Sequence, residues 1–267
     1  MIERFKRQEV DTMKYSTVIV TGGSNGMGKY MAAKFADEGA NVVITGRDEE
    51  RLQAARQELE KTANGKVYPI SMDVRKPEDV EQMVAETVGQ YGGIDHLVNN
   101  AAGNFIAPAE DLSVNGWNAV IDIVLNGTFY CSREVGKYWI DHDVKGSILN
   151  MVATYAWSAG AGVAHSSAAK AGVLNLTRTL AVEWGSKYGI RVNAIAPGPI
   201  ERTGGAGKLW QSEEAAERTI RSVPLKRLGK PEEIAELAYY LLSEKAAYIN
   251  GEVVTMDGGQ WLNHHPF

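Results

Sequence analysis

Three features of the sequence predict an α/β fold, a single doubly wound domain with a mostly parallel sheet. Short β-branched runs alternate with helical segments along most of the chain, a glycine-rich turn joins the first strand to the first helix, and two further small-residue loops end later strands. The 267 residues suit one open α/β unit, and 44% hydrophobic with 23% charged residues is the balance of a globular protein with a sizeable core. Residues 1–14 read as an N-terminal extension and 15–267 as one catalytic domain.

The elements follow in order. Thr17–Val20 is a strand, and the helix after Gly22–Gly28 places Met27, Met31 and Phe35 on one face. Val42–Thr45 is a second strand, and Asp48–Lys61 a helix with acidic residues where the macrodipole favours them. Val67–Met72 is strand-like, Pro77–Tyr91 a helix opened by proline, and His96–Val98 a short buried strand. Ser147–Val152, Ile190–Ala196 and Glu252–Met256 complete the strands, with helices through Ala168–Lys187 and Pro231–Ser243. Right-handed crossovers between parallel strands put ligands at the strands' carboxyl ends. Thr203–Gly207, with three glycines ahead of an amphipathic run from Lys208, reads as a lid.

The formal charge of −5 gives no footprint for nucleic acid, and no apolar run reaches the length of a membrane span or a signal-peptide core, so neither partner is expected and the location is expected to be cytoplasmic. The lone Cys131 excludes internal disulfides and reads as a small buried hydrophobe. No His, Cys, Asp and Glu spacing suggests a metal.

The glycine string Thr21-Gly22-Gly23-Ser24-Asn25-Gly26-Met27-Gly28 lets the backbone approach a pyrophosphate at a helix N-terminus, although an ordinary strand-to-helix turn could carry the same string, and its context supports a dinucleotide site. Asn99-Asn100-Ala101-Ala102-Gly103 and Pro197-Gly198-Pro199-Ile200 converge on the same sheet edge. At the end of the second strand, where an acid serves the ribose of NAD, stand Thr45-Gly46-Arg47, and the Arg47 cation suits the extra phosphate of NADP(H). Asp48 and Glu49 read as helix-start residues.

On these three loops the chain resembles the short-chain dehydrogenase/reductase family from Thr17 to about Gly259. The resemblance implies cofactor contacts from Gly22, Ser24, Asn25, Gly26 and Met27, an adenine pocket at Asp73 and Val74, ribose and pyrophosphate contacts at Asn100 and Ala101, and Pro197, Gly198, Pro199 and Ile200 behind the nicotinamide. Asp73 as a turn cap and the asparagines as loop braces are the structural alternatives.

The common catalytic tyrosine, four residues before the active-site lysine, is replaced. The lysine is Lys170, Ser166 stands in the tyrosine's place, and Ala153 takes the usual serine position. An aliphatic hydroxyl is a poor acid and base beside a phenol, so ordinary ketone chemistry is not expected. The altered pattern resembles the 2,4-dienoyl-CoA reductase branch of the family. That resemblance implies NADPH-dependent reduction of a conjugated acyl thioester in unsaturated fatty-acid β-oxidation, with a 3-enoyl-CoA product. It also implies catalysis by Tyr155 and Asn104, Lys170 on the nicotinamide ribose, and Ser166 and Asn126 in support. Substrate contacts fall to Phe105, Ser113, Arg75 and Lys208, and the assembly to a homotetramer. An enoyl-acyl carrier protein reductase and a non-catalytic NADP(H)-binding protein are the competing readings. At single positions the alternatives are Tyr155 as a packed aromatic, Asn104 as a turn cap, His165 as a structural residue without a role, Lys170 as a solvated helix lysine, and Arg47, Arg75 and Lys208 as surface cations on loops.

Overall fold

A computed structural model describes residues 13–203 and 213–263. Seven strands form one sheet in the order β3-β2-β1-β4-β5-β6-β7, and every adjacent pair is parallel. The strands are β1 Thr17–Thr21, β2 Asn41–Gly46, β3 Val67–Ser71, β4 His96–Asn99, β5 Ser147–Met151, β6 Arg191–Pro197 and β7 Val253–Met256. The order reverses between β1 and β4, the point at whose carboxyl ends open α/β sheets bind their ligands.

The helices are α1 Gly26–Asp37, α2 Glu49–Leu59, α3 Pro77–Tyr91, α4 Val114–Ile121, α5 Gly127–Asp141, α6 Ala164–Tyr188, α7 Glu213–Ser222 and α8 Pro231–Leu242. A turn of π-helix at Asp122–Asn126 links α4 to α5. Alternation along the strands divides the core between two faces. Val18, Val20, Val42 and Ile44 pack with Met31, Phe35 and Leu241, whereas Ile19, Val43, Leu97 and Ile148 pack with Met83, Cys131, Val135 and Trp139. Full burial of a side chain such as Phe35 contributes about 1.5–3 kcal/mol. Trp139 also satisfies its indole N–H, which donates to the Ile94 carbonyl at 2.7 Å.

Met13, expected within the extension, is buried in the first of these clusters, and Tyr15 N–H donates to the Gly39 carbonyl at 3.1 Å. The folded chain therefore includes Met13, while residues 1–12 lie outside the described residues. No described helix is long and apolar enough to cross a membrane. Cys131 is fully buried, and burial pushes its thiol up to about 12, which fits the packing role expected of it.

Candidate active site

The glycine turn after β1 is built for close approach. Gly22 and Gly26 have φ of +65° and +51°, in the left-handed region that glycine enters without strain. A Cβ on Gly28 would stand 2.4 Å from both the Gly22 carbonyl oxygen and Asn100 Nδ2, so only glycine fits where the helix meets the turn. A Cβ on Gly26, by contrast, meets nothing within 4 Å. Asn25 is the extended N-cap of α1, and its side chain caps none of the helix's first amides, which stay free for an anion. This open cradle of amide donors fits a dinucleotide pyrophosphate.

Asn100 acts as a brace. Its Nδ2 donates to the carbonyls of Thr21 and Gly22 at 2.9 and 3.2 Å, and the amides of Asn100 and Ala101 both donate to Thr21 Oγ1 at 3.0 Å. The end of β4 thus fixes the turn after β1. Asn99, one residue earlier, is buried and donates to Ser132 Oγ and Asn150 Oδ1, each at 2.9 Å.

At the end of β2, Arg47 is exposed, and among the described residues no carboxylate forms an ion pair with it. Ser24 reaches the same end, since a Cβ on Gly46 would lie 3.5 Å from its hydroxyl oxygen. Asp48 is spent as the N-cap of α2, accepting the Arg51 N–H at 3.0 Å, as its position after the strand suggests. Asp73, after β3, is nearly buried, and its carboxylate accepts Arg75 Nε at 2.9 and 3.0 Å. Those bonds hold Asp73 below the usual carboxylate range, and the Arg47 charge adds to the effect. Arg75, expected at the substrate, is engaged by Asp73. Val74 packs against Gly127, where a Cβ would meet it at 2.7 Å.

The catalytic candidates gather around the first two turns of α6. Tyr155 lies on a single 3-10 turn, Thr154–Ala156, after β5, and its hydroxyl stands 3.1 Å from Ser166 Oγ. Lys170 follows Ser166 by one helical turn and is 8% exposed, as its flanking alanines and glycine suggest. Its Nζ donates to the Met151 carbonyl at the end of β5, and burial lowers its pKa to about 8. Leu125 of the π-helix packs on α6, where a Cβ on Gly172 would meet it at 2.9 Å, and Asn126 Nδ2 donates to Asp122 Oδ1 at 2.8 Å.

A second loop comes to the same helix end. Asn104 is exposed and its Oδ1 accepts the Phe105 N–H at 2.9 Å, which leaves Nδ2 uncommitted among the described residues. The Phe105 ring stands edge-to-face with the His165 ring, with centroids 4.5 Å apart, and the Ala107 N–H donates to the Gly162 carbonyl at 3.0 Å. Ser113 is the N-cap of α4, accepting the Gly116 N–H at 3.1 Å; a Cβ on Gly116 would touch both Ser113 Oγ and Phe105, at 3.2 and 3.0 Å. Pro197 ends β6, and the loop after it is pinned by the Gly198 N–H on the Met256 carbonyl and the Gly229 N–H on the Pro199 carbonyl, each at 3.0 Å. Lys208 and most of the expected lid lie outside the described residues, although Thr203 Oγ1 donates to the Ile200 carbonyl at 3.0 Å.

Two features of the site carry no signal in the sequence as read: the π-helix and the involvement of His165. Among the described residues no group of three or more His, Cys, Asp and Glu side chains is placed to hold a metal.

A seven-stranded parallel sheet, a braced glycine turn and a buried lysine at its carboxyl edge define a dinucleotide-dependent oxidoreductase. The chain belongs to the short-chain dehydrogenase/reductase family, and the family model described as "Enoyl-(Acyl carrier protein) reductase" matches residues 22–260. It is 63% identical over 255 residues to the "Probable 2,4-dienoyl-CoA reductase [(2E)-enoyl-CoA-producing]" of Bacillus subtilis, covering 96% of this chain and 100% of that one. It is 39% identical over 253 residues to the "Peroxisomal 2,4-dienoyl-CoA reductase [(3E)-enoyl-CoA-producing]" of Danio rerio, covering 94% and 83%. Among solved structures, a short chain dehydrogenase from Bacillus anthracis superposes with a TM-score of 0.88 at 63% identity, covering 95% of this chain and 100% of the other.

Proposed function

We propose that the protein reduces the conjugated diene of a 2,4-dienoyl-CoA with NADPH, as a step in the β-oxidation of unsaturated fatty acids. The observation that carries this reading is the bond between the Tyr155 and Ser166 hydroxyls. A phenol from the loop after β5 reaches the residue that replaces the common tyrosine and stands one turn from Lys170. Kinship with the two reductases named above supports the substrate class.

Gly22, Ser24, Asn25, Gly26 and Met27 hold the pyrophosphate, Arg47 the 2′-phosphate, Asp73 and Val74 the adenine, Ala101 the ribose side, and Pro197–Ile200 the nicotinamide face; Asn100 serves by bracing the turn. When bound there, the nicotinamide supplies a hydride. As the diene gains that pair of electrons, negative charge gathers on the thioester oxygen, and catalysis falls to donors aimed at it. Tyr155 O–H and Asn104 Nδ2–H are those donors. Once the Tyr155 O–H is given to the thioester oxygen, the Ser166 hydroxyl is left as the donor in the contact between the two, which polarises the phenol and makes it a stronger donor. Lys170 has one N–H on the Met151 carbonyl and two left for the nicotinamide ribose.

Protonation of the resulting dienolate at C2 gives a 3-enoyl thioester, and at C4 a 2-enoyl thioester. The 63% identical relative is named for the (2E)-enoyl product, and we assign that product here in place of the 3-enoyl one expected from the family branch. Phe105 and Ser113 line the acyl side, Lys208 meets the coenzyme A phosphates, and Arg75 contributes through its bond to Asp73. A cytoplasmic homotetramer is proposed on the family resemblance alone.

The test is cofactor oxidation with dienoyl-CoA, enoyl-CoA and enoyl-acyl carrier protein side by side, with product analysis. The reading predicts fastest turnover of dienoyl-CoA and a 2-enoyl product. Fastest turnover of the acyl carrier protein substrate would favour the reductase of fatty-acid synthesis, and turnover of none a binding protein.

A further inference from the structure

His165 lies second in α6, one residue before Ser166, and is fully buried. Its Nδ1 accepts the Ser166 N–H at 2.8 Å, which takes up one of the helix's free first-turn amides. A ring nitrogen that accepts a backbone N–H carries no proton, so in the neutral ring the proton sits on Nε2. That Nε2 is buried and has no hydrogen-bond partner among the described residues. A phenyl or leucyl side chain would fill the same volume without leaving a buried polar atom unsatisfied, so packing alone does not explain a histidine here.

What the ring touches supplies the explanation. Through Nδ1 it holds Ser166, whose hydroxyl bonds Tyr155. Through its ring it stands perpendicular to Phe105, with centroids 4.5 Å apart, and the Phe105 N–H is the group that fixes the Asn104 side chain. One buried side chain therefore contacts the immediate neighbour of each proposed oxyanion donor. The two donors come from loops about fifty residues apart in the chain, after β4 and after β5, and their common reference is the first turn of α6.

Resting on the reading of Tyr155 and Asn104 given above, we propose that His165 is a positioning residue that registers these two donors against one another, through Ser166 on one side and Phe105 on the other. Preorganised donors are effective only when held at the place where charge develops, and a displacement of about 1 Å costs up to about 10²-fold in rate.

The two arms separate by substitution. His165→Asn retains a side-chain acceptor for the Ser166 N–H and removes the ring, whereas His165→Phe retains a ring against Phe105 and removes the acceptor. Each should lower kcat on dienoyl-CoA by about 10- to 100-fold and leave the NADPH dissociation constant unchanged. The deciding readout is the pair of double-mutant cycles. The His165→Asn loss should vanish in an Asn104→Ala background, and the His165→Phe loss in a Tyr155→Phe background.

Losses that multiply independently in both cycles, or single variants with wild-type kcat, overturn the proposal. Melting temperatures establish that each variant folds; should His165→Phe not fold, the His165→Asn cycle decides alone. If Asn104→Ala and Tyr155→Phe are themselves as active as wild type, the donor assignment fails and this inference with it. Strong donor variants with additive His165 effects reject the inference alone.

Discussion

Tyr155 and Ser166 share a hydrogen bond of 3.1 Å across eleven residues of sequence, between a 3-10 turn after β5 and the first turn of α6. The contact puts a phenol next to the helix face that bears Lys170, although the tyrosine common at position 166 is absent. A serine at position 166 leaves room for a ring arriving from the loop, and its small hydroxyl is a partner that ring can use. An aromatic hydroxyl thus reaches this helix end from a different element.

The glycine turn gives the first prediction. Gly28→Ala forces a methyl carbon into the space held by the Gly22 carbonyl and Asn100 Nδ2, both 2.4 Å away. The brace between β1 and β4 must then open. NADPH affinity, measured by fluorescence titration, should fall at least tenfold, while Gly89→Ala, on α3 with nothing within 4 Å of the added carbon, should leave it unchanged.

The proposed preference for NADPH assigns the 2′-phosphate to Arg47. A charge-assisted contact to the 2′-phosphate contributes about 1.5–3 kcal/mol, so Arg47→Ala should cut the preference for NADPH over NADH by roughly 10- to 100-fold in kcat/KM, mostly through KM for NADPH. Asp48 is committed to capping α2 and does not compete for that position. An unchanged preference in the variant would remove Arg47 from the account.

Much of this architecture is legible in the sequence because the strands are pure signals. Ile19 and Val43 face one layer and Val18, Val20, Val42 and Ile44 the other, so β1 and β2 are short, largely β-branched runs, each with glycine at or just after its end. The region from Val114 to Asp141 gives no such signal. The buried face of α5 is made of Gly127, Thr128, Cys131, Ser132, Val135, Gly136 and Trp139, and small or polar residues carry little hydrophobic period. The π-turn before it shifts the phase again. Within the site, the residue types at Tyr155, Asn104, Ser166 and Lys170 are readable from their spacing, but their use is not. That Asn100 braces the turn and that Asp73 engages Arg75 follow from contacts that only folding creates.

Lys170 supplies a pH dependence. Burial lowers its pKa to about 8, so its ammonium charge is present below that pH and lost above it. The affinity of the free enzyme for the anionic dinucleotide should therefore weaken as pH rises through about 8, where an exposed lysine would stay charged to about 10.4. In Lys170→Met, NADPH should bind more weakly at neutral pH and that weakening step near pH 8 should be absent. Titrations of NADPH at several pH values check both points.

If Tyr155 takes the part of the common catalytic phenol by donating to the substrate's thioester oxygen, kcat of Tyr155→Phe on dienoyl-CoA reports it. The substitution keeps the ring and removes only the hydroxyl, so packing after β5 is preserved while the bond to Ser166 and the donor are both lost. The account predicts a fall of about 10²- to 10³-fold in kcat, the typical effect of losing one preorganised oxyanion donor, with NADPH affinity unchanged. A variant that turns over at close to the wild-type rate would contradict it and return the search for the acid to Ser166.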